Sequence, residues 1–223
     1  MDWQALSLSL KLSTWTVIVL LPAGLLLARE LAWRRFRGKN LIEATLSLPL
    51  VLPPTVLGYY LLVAMGGNAP VGRWYQQWSG HPLVFSFEGL LIASLIFNMP
   101  FAVPPMQRAL ETIPKEMREA AAVCGLSPWR IFRLVELPLA WNGILTAAVL
   151  TFAHTLGEFG VVLMVGGSIP GETRTIAIAI YDRVQAFDRD AANSMAALLL
   201  ALSFVAIVVA QLGGGYLSRR HDR

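Results

Sequence analysis

Five long stretches without a charged side chain determine the solvent in which this chain of 223 residues folds. They cover 12–28, 44–72, 89–107, 137–157 and 191–218, and each contains at least 17 residues. A helix needs about 20 apolar residues to cross the hydrocarbon core of a bilayer. These stretches lack the polar faces at helical spacing that soluble helices carry. Because backbone groups in lipid must be bonded internally, the sequence predicts an all-α integral membrane protein.

The same stretches define one predicted transmembrane domain over 1–223. Its five spans are expected at about 12–29, 43–66, 86–107, 139–165 and 192–217. Only 14% of the residues are charged, against about a quarter in soluble domains. The segment 168–190 contains too short an apolar run to cross, so we expect a re-entrant or surface segment on the outer side. Cys124 is the only cysteine, which excludes an intrachain disulfide.

Positively charged side chains predict how the spans are oriented. With the amino terminus outside, thirteen Lys and Arg residues fall on the inner flanks and five on the outer flanks. The inner ones are Arg29, Arg34, Arg35, Arg37, Lys39, Arg108, Lys115, Arg118, Arg130, Arg133, Arg219, Arg220 and Arg223. The outer ones are Lys11, Arg73, Arg174, Arg183 and Arg189. The positive-inside rule therefore predicts an outer amino terminus, a cytoplasmic carboxyl terminus and a cytoplasmic loop over 112–136.

Two predicted spans contain clusters of proline. The second has Pro49, Pro53 and Pro54, and the third has a cluster of three at 100, 104 and 105. Proline removes a backbone donor and clashes with the preceding turn, so each cluster should break or bend its helix. Ordinary kinking is one interpretation. The other is that two broken helices line a pathway and act as hinges, with Pro53 and Pro54 at a gate.

The third and fourth spans contain the polar side chains that are candidates for a pathway. His154 and Glu158 are four residues apart on one helical face, and Thr151 and Thr155 lie on or beside that face. Asn98 adds a donor in the third span. Ionisable groups at membrane depth usually face a cavity or a partner. We expect Glu158 near the outer interface and His154 either facing the pathway or packing between helices; no spacing favours a metal site.

The cytoplasmic loop is predicted to form a helix, a sharp turn and a second helix. Good helix formers run from Lys115, and Gly125 is placed to end that helix in a left-handed cap. Ser127 and Pro128 then suit the start of the next helix. With small alanines beside Glu119 and the bulky Trp129 beyond the turn, the loop suits docking into a cleft on a soluble partner. The plainer interpretation is an amphipathic loop on the membrane surface.

The loop also resembles a known signature. Glu119-Ala120-Ala121, then Gly125, then Val135-x-Leu137-Pro138, is similar to the pattern E-A-A-x3-G-x9-I-x-L-P. That pattern marks the permease subunits of ABC importers, with Val135 here in place of isoleucine. The resemblance implies a type I importer (MetI-like) fold with a cytoplasmic coupling helix. It further implies an ATPase-contacting surface formed by Glu119, Ala120, Ala121, Gly125, Leu126 and Trp129.

The resemblance extends to most of the chain and implies a set of partners. Residues 48–66 and 156–181 look like the corresponding parts of bacterial molybdate permeases, with tungstate and sulfate permeases as alternatives. Such permeases are inner-membrane proteins that work as two copies with a cytoplasmic ATPase dimer and a periplasmic or surface oxyanion-binding protein. The chain has no G-x4-G-K-[ST] motif, so ATP and Mg²⁺ are expected on the partner. We therefore expect a transporter subunit rather than an enzyme, with no cofactor, catalytic residue or nucleic-acid partner of its own.

A channel or a proton-coupled carrier is the alternative from another class. It would use His154 and Glu158 as its working pair and would not need the cytoplasmic loop. Such a protein should conduct its substrate alone and without ATP.

Overall fold

The computed structural model describes residues 1–221, and every side-chain statement below concerns residues 1–208. Arg223 and the side chains of Arg219 and Arg220, predicted to be cytoplasmic, lie outside that description. The helices are α1 Trp3–Trp33, α2 Lys39–Val51, α3 Pro54–Met65, α4 Pro70–Ser79, α5 Phe87–Glu111, α6 Lys115–Val123, α7 Pro128–Ile131, a π-helical turn Phe132–Glu136, α8 Leu137–Leu139, α9 Trp141–Gly157, α10 Gly160–Gly166, α11 Ile176–Gln185 and α12 Arg189–His221.

Three of these helices, α1, α5 and α12, are each long and apolar enough to cross a membrane. Two pairs of helices are bent but together long and apolar enough to cross: α2 with α3, and the segment 128–139 with α9. If each pair counts as one span, the total is five. The bends measure 113° and 70°. The all-helical membrane architecture predicted from the sequence is therefore confirmed.

Helix α5 lies at the centre of the bundle and packs against α1, α2, α9 and α10. Its carboxyl-terminal half contributes Ala102, Met106 and Leu110, all 0% exposed, to a core shared with α1 and α9. Its amino-terminal half contributes Ala93 and Phe97 to a second core shared with α3 and α10. α5 is thus the element that both cores share.

The prediction that proline breaks the second span is confirmed. α2 ends at Val51, and α3 begins at Pro54. Leu52 and Pro53 between them are extended, with ψ of 135° and 134°. Each precedes a proline, and a proline ring disfavours helical backbone in the residue before it. Pro53 and Pro54 are exposed in the isolated chain, so the break does not depend on burial of the two prolines.

In the third span the predicted break is absent, and the alternative, a bend without a break, stays a prediction. α5 continues as one helix through Pro100, Pro104 and Pro105. The residues between them, Ala102 and Val103, are 0% and 1% exposed and pack into the central core. Tertiary packing therefore holds helical backbone that the prolines alone would disfavour.

At the predicted outer end, the segment 168–190 forms a loop and the short helix α11. Ile176, Ile178 and Ala179 of α11 are buried, the first and third in a cluster with the first turns of α1 and with α12. The backbone N–H of Ile176 donates to Ser9 Oγ at 2.8 Å. Arg174 Nε lies 3.3 Å from Asp182 Oδ2 at an angle too poor for a hydrogen bond, and its Nη1 lies 3.8 Å from Asp2. These contacts attach the segment to the beginning of α1.

Candidate functional site: the projecting peg and the polar residues of the spans

Helix α6, the following turn and α7 form a projecting unit that we call the peg (residues 115–131). α6 ends in a Schellman motif: the N–H of Gly125 donates to Ala122 O at 3.0 Å, and the N–H of Leu126 donates to Ala121 O at 3.2 Å. Gly125 has φ of +80°, a conformation that costs little only without a Cβ. The turn predicted at this glycine is present.

The second helix of the peg also starts as its residues predict. Ser127 Oγ accepts a hydrogen bond from the N–H of Arg130 at 3.4 Å, and Pro128 occupies the first helical position. Trp129 follows, and its ring lies 5.3 Å from that of Phe132. The two helices are therefore fixed by local capping rather than by a core of their own.

The peg presents an unusual surface. No residue of α6 is buried. Three large apolar side chains of the peg are exposed: Met117 at 46%, Val123 at 88% and Trp129 at 64%. Ala120 is exposed beside them, while Ala121 and Leu126 are half-buried. An apolar surface that is rimmed by charge and left open is typical of a docking site for another protein.

Glu119 stands on this exposed surface with a local partner. Its carboxylate accepts a hydrogen bond from Lys115 Nζ at 2.8 Å, one helical turn away. That hydrogen bond and the attraction of the carboxylate raise the pKa of Lys115 above its ordinary value. Both side chains are well exposed, at 61% and 78%, so the pair is a weak surface interaction that leaves Glu119 free to exchange partners.

One charged group at the base of the peg was missed by sequence reasoning. Glu136 is 0% exposed and binds both Arg29 of α1 and Arg118 of α6. The signal was present, since a carboxylate directly before the apolar run that starts at Leu137 needs a cationic partner if it is buried. The partners, however, lie 18 and 107 residues away in sequence, which no local pattern indicates.

Within the spans, the structure brings Asn98 and His154 together. Asn98 is 0% exposed, and its Oδ1 lies 3.1 Å from His154 Nδ1. Its amide nitrogen donates to Ser94 O at 2.8 Å, and Ser94 Oγ in turn accepts from Thr16 Oγ1 at 2.9 Å. The His154 ring also stacks on Phe97 and on Phe101. The result is a polar chain across α1, α5 and α9, which agrees with a helix-packing role for His154.

Glu158 lies in a different environment, at the junction of α9 and α10. Its Oε1 accepts a hydrogen bond from the N–H of Val161 at 2.8 Å, so the carboxylate caps the first turn of α10. A Cβ added to Gly160, beside it, would lie 2.7 Å from Pro54 Cβ. The breaks at Pro53–Pro54 and at Glu158–Phe159 are therefore adjacent in space, although the sequence separates them by about a hundred positions.

Thr151 and Thr155 of α9 are also buried, at 0% and 3% exposure. Thr155 Oγ1 donates to the carbonyl of Thr151 at 2.7 Å, whereas Thr151 Oγ1 has no hydrogen-bond partner among the described side chains. Of the seven candidate pathway residues, two pairs are joined by hydrogen bonds, Asn98 with His154 and Thr155 with Thr151, while Pro54 lies against Gly160, next to Glu158. Their roles in transport stay predictions.

Comparison with known proteins gives close relatives over nearly the whole chain. The molybdenum transport system permease protein ModB of Azotobacter vinelandii is 46% identical over 206 residues, covering 92% of this chain and 91% of that one. The protein of the same name in Escherichia coli K12 is 39% identical over 211 residues, with 94% and 92% covered. The sulfate transport system permease protein CysW of Synechocystis is 33% identical, with 94% and 75% covered.

Solved structures support the fold. A bacterial ABC transporter for the import of alginate aligns with a TM-score of 0.73 over 97% of this chain and 78% of that one, at 17% identity. The methionine ABC transporter MetNI, in an inward-facing conformation, aligns with a TM-score of 0.69 over 97% and 94%, at 18% identity. The type I ABC importer fold implied by the resemblance is therefore confirmed. Residues 21–223 also match the family of binding-protein-dependent transport system inner membrane components, and the chain therefore belongs to that family.

Proposed function

We propose that this chain is the permease subunit of an ATP-driven molybdate importer of the bacterial inner membrane. Two copies would form the transmembrane unit, with a cytoplasmic ATPase dimer on one side and a periplasmic or surface oxyanion-binding protein on the other. The identity of 46% to a molybdenum permease, against 33% to a sulfate permease, favours molybdate over sulfate. The amino terminus would lie outside and the carboxyl terminus in the cytoplasm, as the charges on the flanks predict.

The observation that carries the proposal is the exposed peg. Its open apolar side chains and its exposed Glu119 have no partner surface within the described chain that would cover them. A cleft on the ATPase would bury Met117, Val123 and Trp129 and offer a cation to Glu119. Closure of the ATPase dimer would then move the peg and with it the membrane helices, so that the two copies alternate between outward and inward openings.

The chemistry of the spans agrees with the passage of an oxyanion. A pathway that conducts must bind its ion weakly enough to release it, which favours neutral donors over fixed cations. Within the described chain, Asn98, Thr151, Thr155 and His154 supply such donors without a Lys or Arg inside the apolar runs. Pro53, Pro54 and Glu158 would stand at the gate, where the two helix breaks meet. Selectivity among anions would then rest with the external binding protein.

The test is uptake by the complete transporter in vesicles. The permease is reconstituted with its ATPase and binding protein, and molybdate, tungstate and sulfate are offered separately with and without ATP. We expect uptake that requires ATP and prefers molybdate. Uptake of any of these anions by the permease alone and without ATP would instead indicate a channel or carrier that uses His154 and Glu158.

Replacing Glu119 by Lys tests the docking surface within the same assay. The change reverses the charge that the ATPase is proposed to bind, so we expect ATP-driven uptake to fall by about tenfold or more while membrane insertion is unaffected. Glu30→Lys is the matched control, because Glu30 is also an exposed carboxylate paired with a cation one turn away, Arg34 at 2.7 Å. Equal uptake by the two variants would contradict the assignment of Glu119.

A further inference from the structure

A fully buried carboxylate lies where the peg joins the membrane helices. Glu136 is the last residue of the π-helical turn, and its side chain is 0% exposed. Its Oε2 accepts a hydrogen bond from Arg29 Nε at 2.5 Å, and its Oε1 accepts from Arg118 Nε at 2.8 Å and from Arg29 Nη2 at 3.3 Å. Charge-assisted hydrogen bonds of this kind are what allow an ionised carboxylate to stay buried.

The guanidinium of each arginine also lies over an aromatic ring. The Arg118 guanidinium lies 4.0 Å from the ring centre of Trp33, and that of Arg29 lies 5.4 Å from the ring centre of Phe132. Cation–π contacts restrict the plane of each guanidinium as well as its position. α1, which carries Arg29 and Trp33, is thereby connected to α6 in two ways: through the anion that Arg29 and Arg118 share, and through the contact of Trp33 with Arg118.

The attachment of α6 to the rest of the chain depends strongly on this anion. α6 has no buried residue, so it lacks an apolar face that would pack it against the membrane helices. Arg118 reaches inward with 25% of its side chain exposed, whereas Lys115 and Glu119 are 78% and 61% exposed. Apart from the covalent chain, the contact between Arg118 and Glu136 is the polar anchor of α6.

The backbone at Glu136 departs from regular α-helical hydrogen bonding. The N–H of Leu137 bonds to Phe132 O, five residues back, which makes the turn π-helical rather than α-helical. Pro138 follows and has no N–H to offer, so the helical ladder is already interrupted at this point. Turns of this kind occur frequently at functional sites. A shift of the peg could therefore be accommodated at this turn by a change in which carbonyl accepts each backbone N–H.

We propose that Glu136 is a positioning residue that transmits the movement of α6 to α1 through Arg118 and Arg29. This inference rests on the proposed function, because it assumes that an ATPase moves the peg. In it, displacement of Arg118 draws Glu136 and Arg29 along, and α1 shifts against the central helix α5. Without the carboxylate, α6 would still dock on the ATPase, but only the contact of Arg118 with Trp33 would connect its side chains to α1, so less of its movement would reach the membrane helices.

The variants are Glu136→Gln, Arg118→Gln and Arg118→Lys. The first two remove one charge each from the buried contact, while the third keeps the cation. Arg34→Gln is the matched control, since Arg34 pairs with Glu30 at 2.7 Å on the same side but is 73% exposed. Glu136 is buried, and its replacement can lower the yield of folded protein. Arg118 is partly exposed, so the Arg118 variants still test the contact in that case.

The first measurement needs no ATPase and no substrate. Cys124 is the only cysteine and is exposed at the end of α6, so a spin label on it reports the mobility of the peg in the purified permease. We expect greater label mobility in Glu136→Gln and Arg118→Gln than in wild type, a smaller change in Arg118→Lys and none in Arg34→Gln. Combining the first two changes should give less than the sum of their separate effects, because both break the contact between Arg118 and Glu136.

The second measurement uses the assembled transporter and counts molybdate imported per ATP hydrolysed. We expect this ratio to fall about tenfold in Glu136→Gln and Arg118→Gln, within the usual range of coupling between distant sites, while the ATPase still copurifies. A merely structural role would lower uptake and hydrolysis in proportion and leave the ratio unchanged. Wild-type label mobility, or a wild-type ratio, in both charge-removing variants would overturn the inference. Because the label reports on the permease alone, it tests the anchor independently of the proposed function.

Discussion

Gly58 of α3 and Gly160 of α10 allow these two short helices to pack closely, where the breaks at Pro53–Pro54 and Glu158–Phe159 lie side by side. A Cβ built on Gly58 of α3 would lie 2.7 Å from Met164 Cβ and 3.2 Å from Val161 Cα, both in α10. Real Cβ contacts do not come so close, so the two helices can keep this separation only with hydrogen at position 58. Small residues serve the same purpose at many helix contacts in membranes.

Replacing Gly58 by Ala should therefore destabilise the protein although alanine is the better helix former. Overpacking typically costs about 1–3 kcal/mol, which exceeds the gain in helix propensity of about 1 kcal/mol. Thermal unfolding in detergent should show a lower Tm for this variant. Gly157→Ala is the control, because a Cβ at Gly157 meets nothing within 4 Å. An equal or higher Tm for Gly58→Ala would show that α3 and α10 can separate freely.

At the level of the element, the direction of the peg depends on its left-handed glycine. Gly125→Ala would introduce a Cβ at φ of +80°, although nothing lies within 4 Å of the added atom. The cost is therefore conformational and about 1 kcal/mol, and it falls on the turn between α6 and α7. We expect reduced ATP-driven uptake with normal insertion, and a milder loss in Gly125→Asn, since Asn tolerates this conformation better. Equal loss in both variants would point to a steric role instead.

The elements also show what local sequence rules can and cannot predict. The turn at Gly125, the cap at Ser127 and the break at Pro53–Pro54 follow from residues within a few positions, and all three are present. The break expected at Pro104–Pro105 is absent because neighbouring helices enclose α5 there. The contact of Arg29 and Arg118 with Glu136 joins residues that only the tertiary fold brings together. Local chemistry thus predicted the peg, but not its anchor.

For the whole molecule, the orientation in the membrane can be tested with the native cysteine. Cys124 is exposed on the peg, which the distribution of Lys and Arg places in the cytoplasm. A membrane-impermeant maleimide should therefore label inside-out vesicles and leave right-side-out vesicles unlabelled until they are opened. Addition of the ATPase should slow the labelling, since docking would cover the peg. Labelling of intact right-side-out vesicles would contradict both the orientation and the proposed function.

Helix α1 is fastened at two levels. Ser9 Oγ accepts the N–H of Ile176 near one end, and Arg29 binds Glu136 near the other. At 1.5 Å per residue these points are about 30 Å apart, which equals the thickness of the hydrocarbon core. If α1 shifts as a unit, events at the two faces of the bilayer are thermodynamically linked. Two affinities are then linked: that of the peg for the ATPase, and that for a ligand which pulls on the attachment at Ser9. By reciprocity, binding of either partner changes the affinity for the other by the same factor.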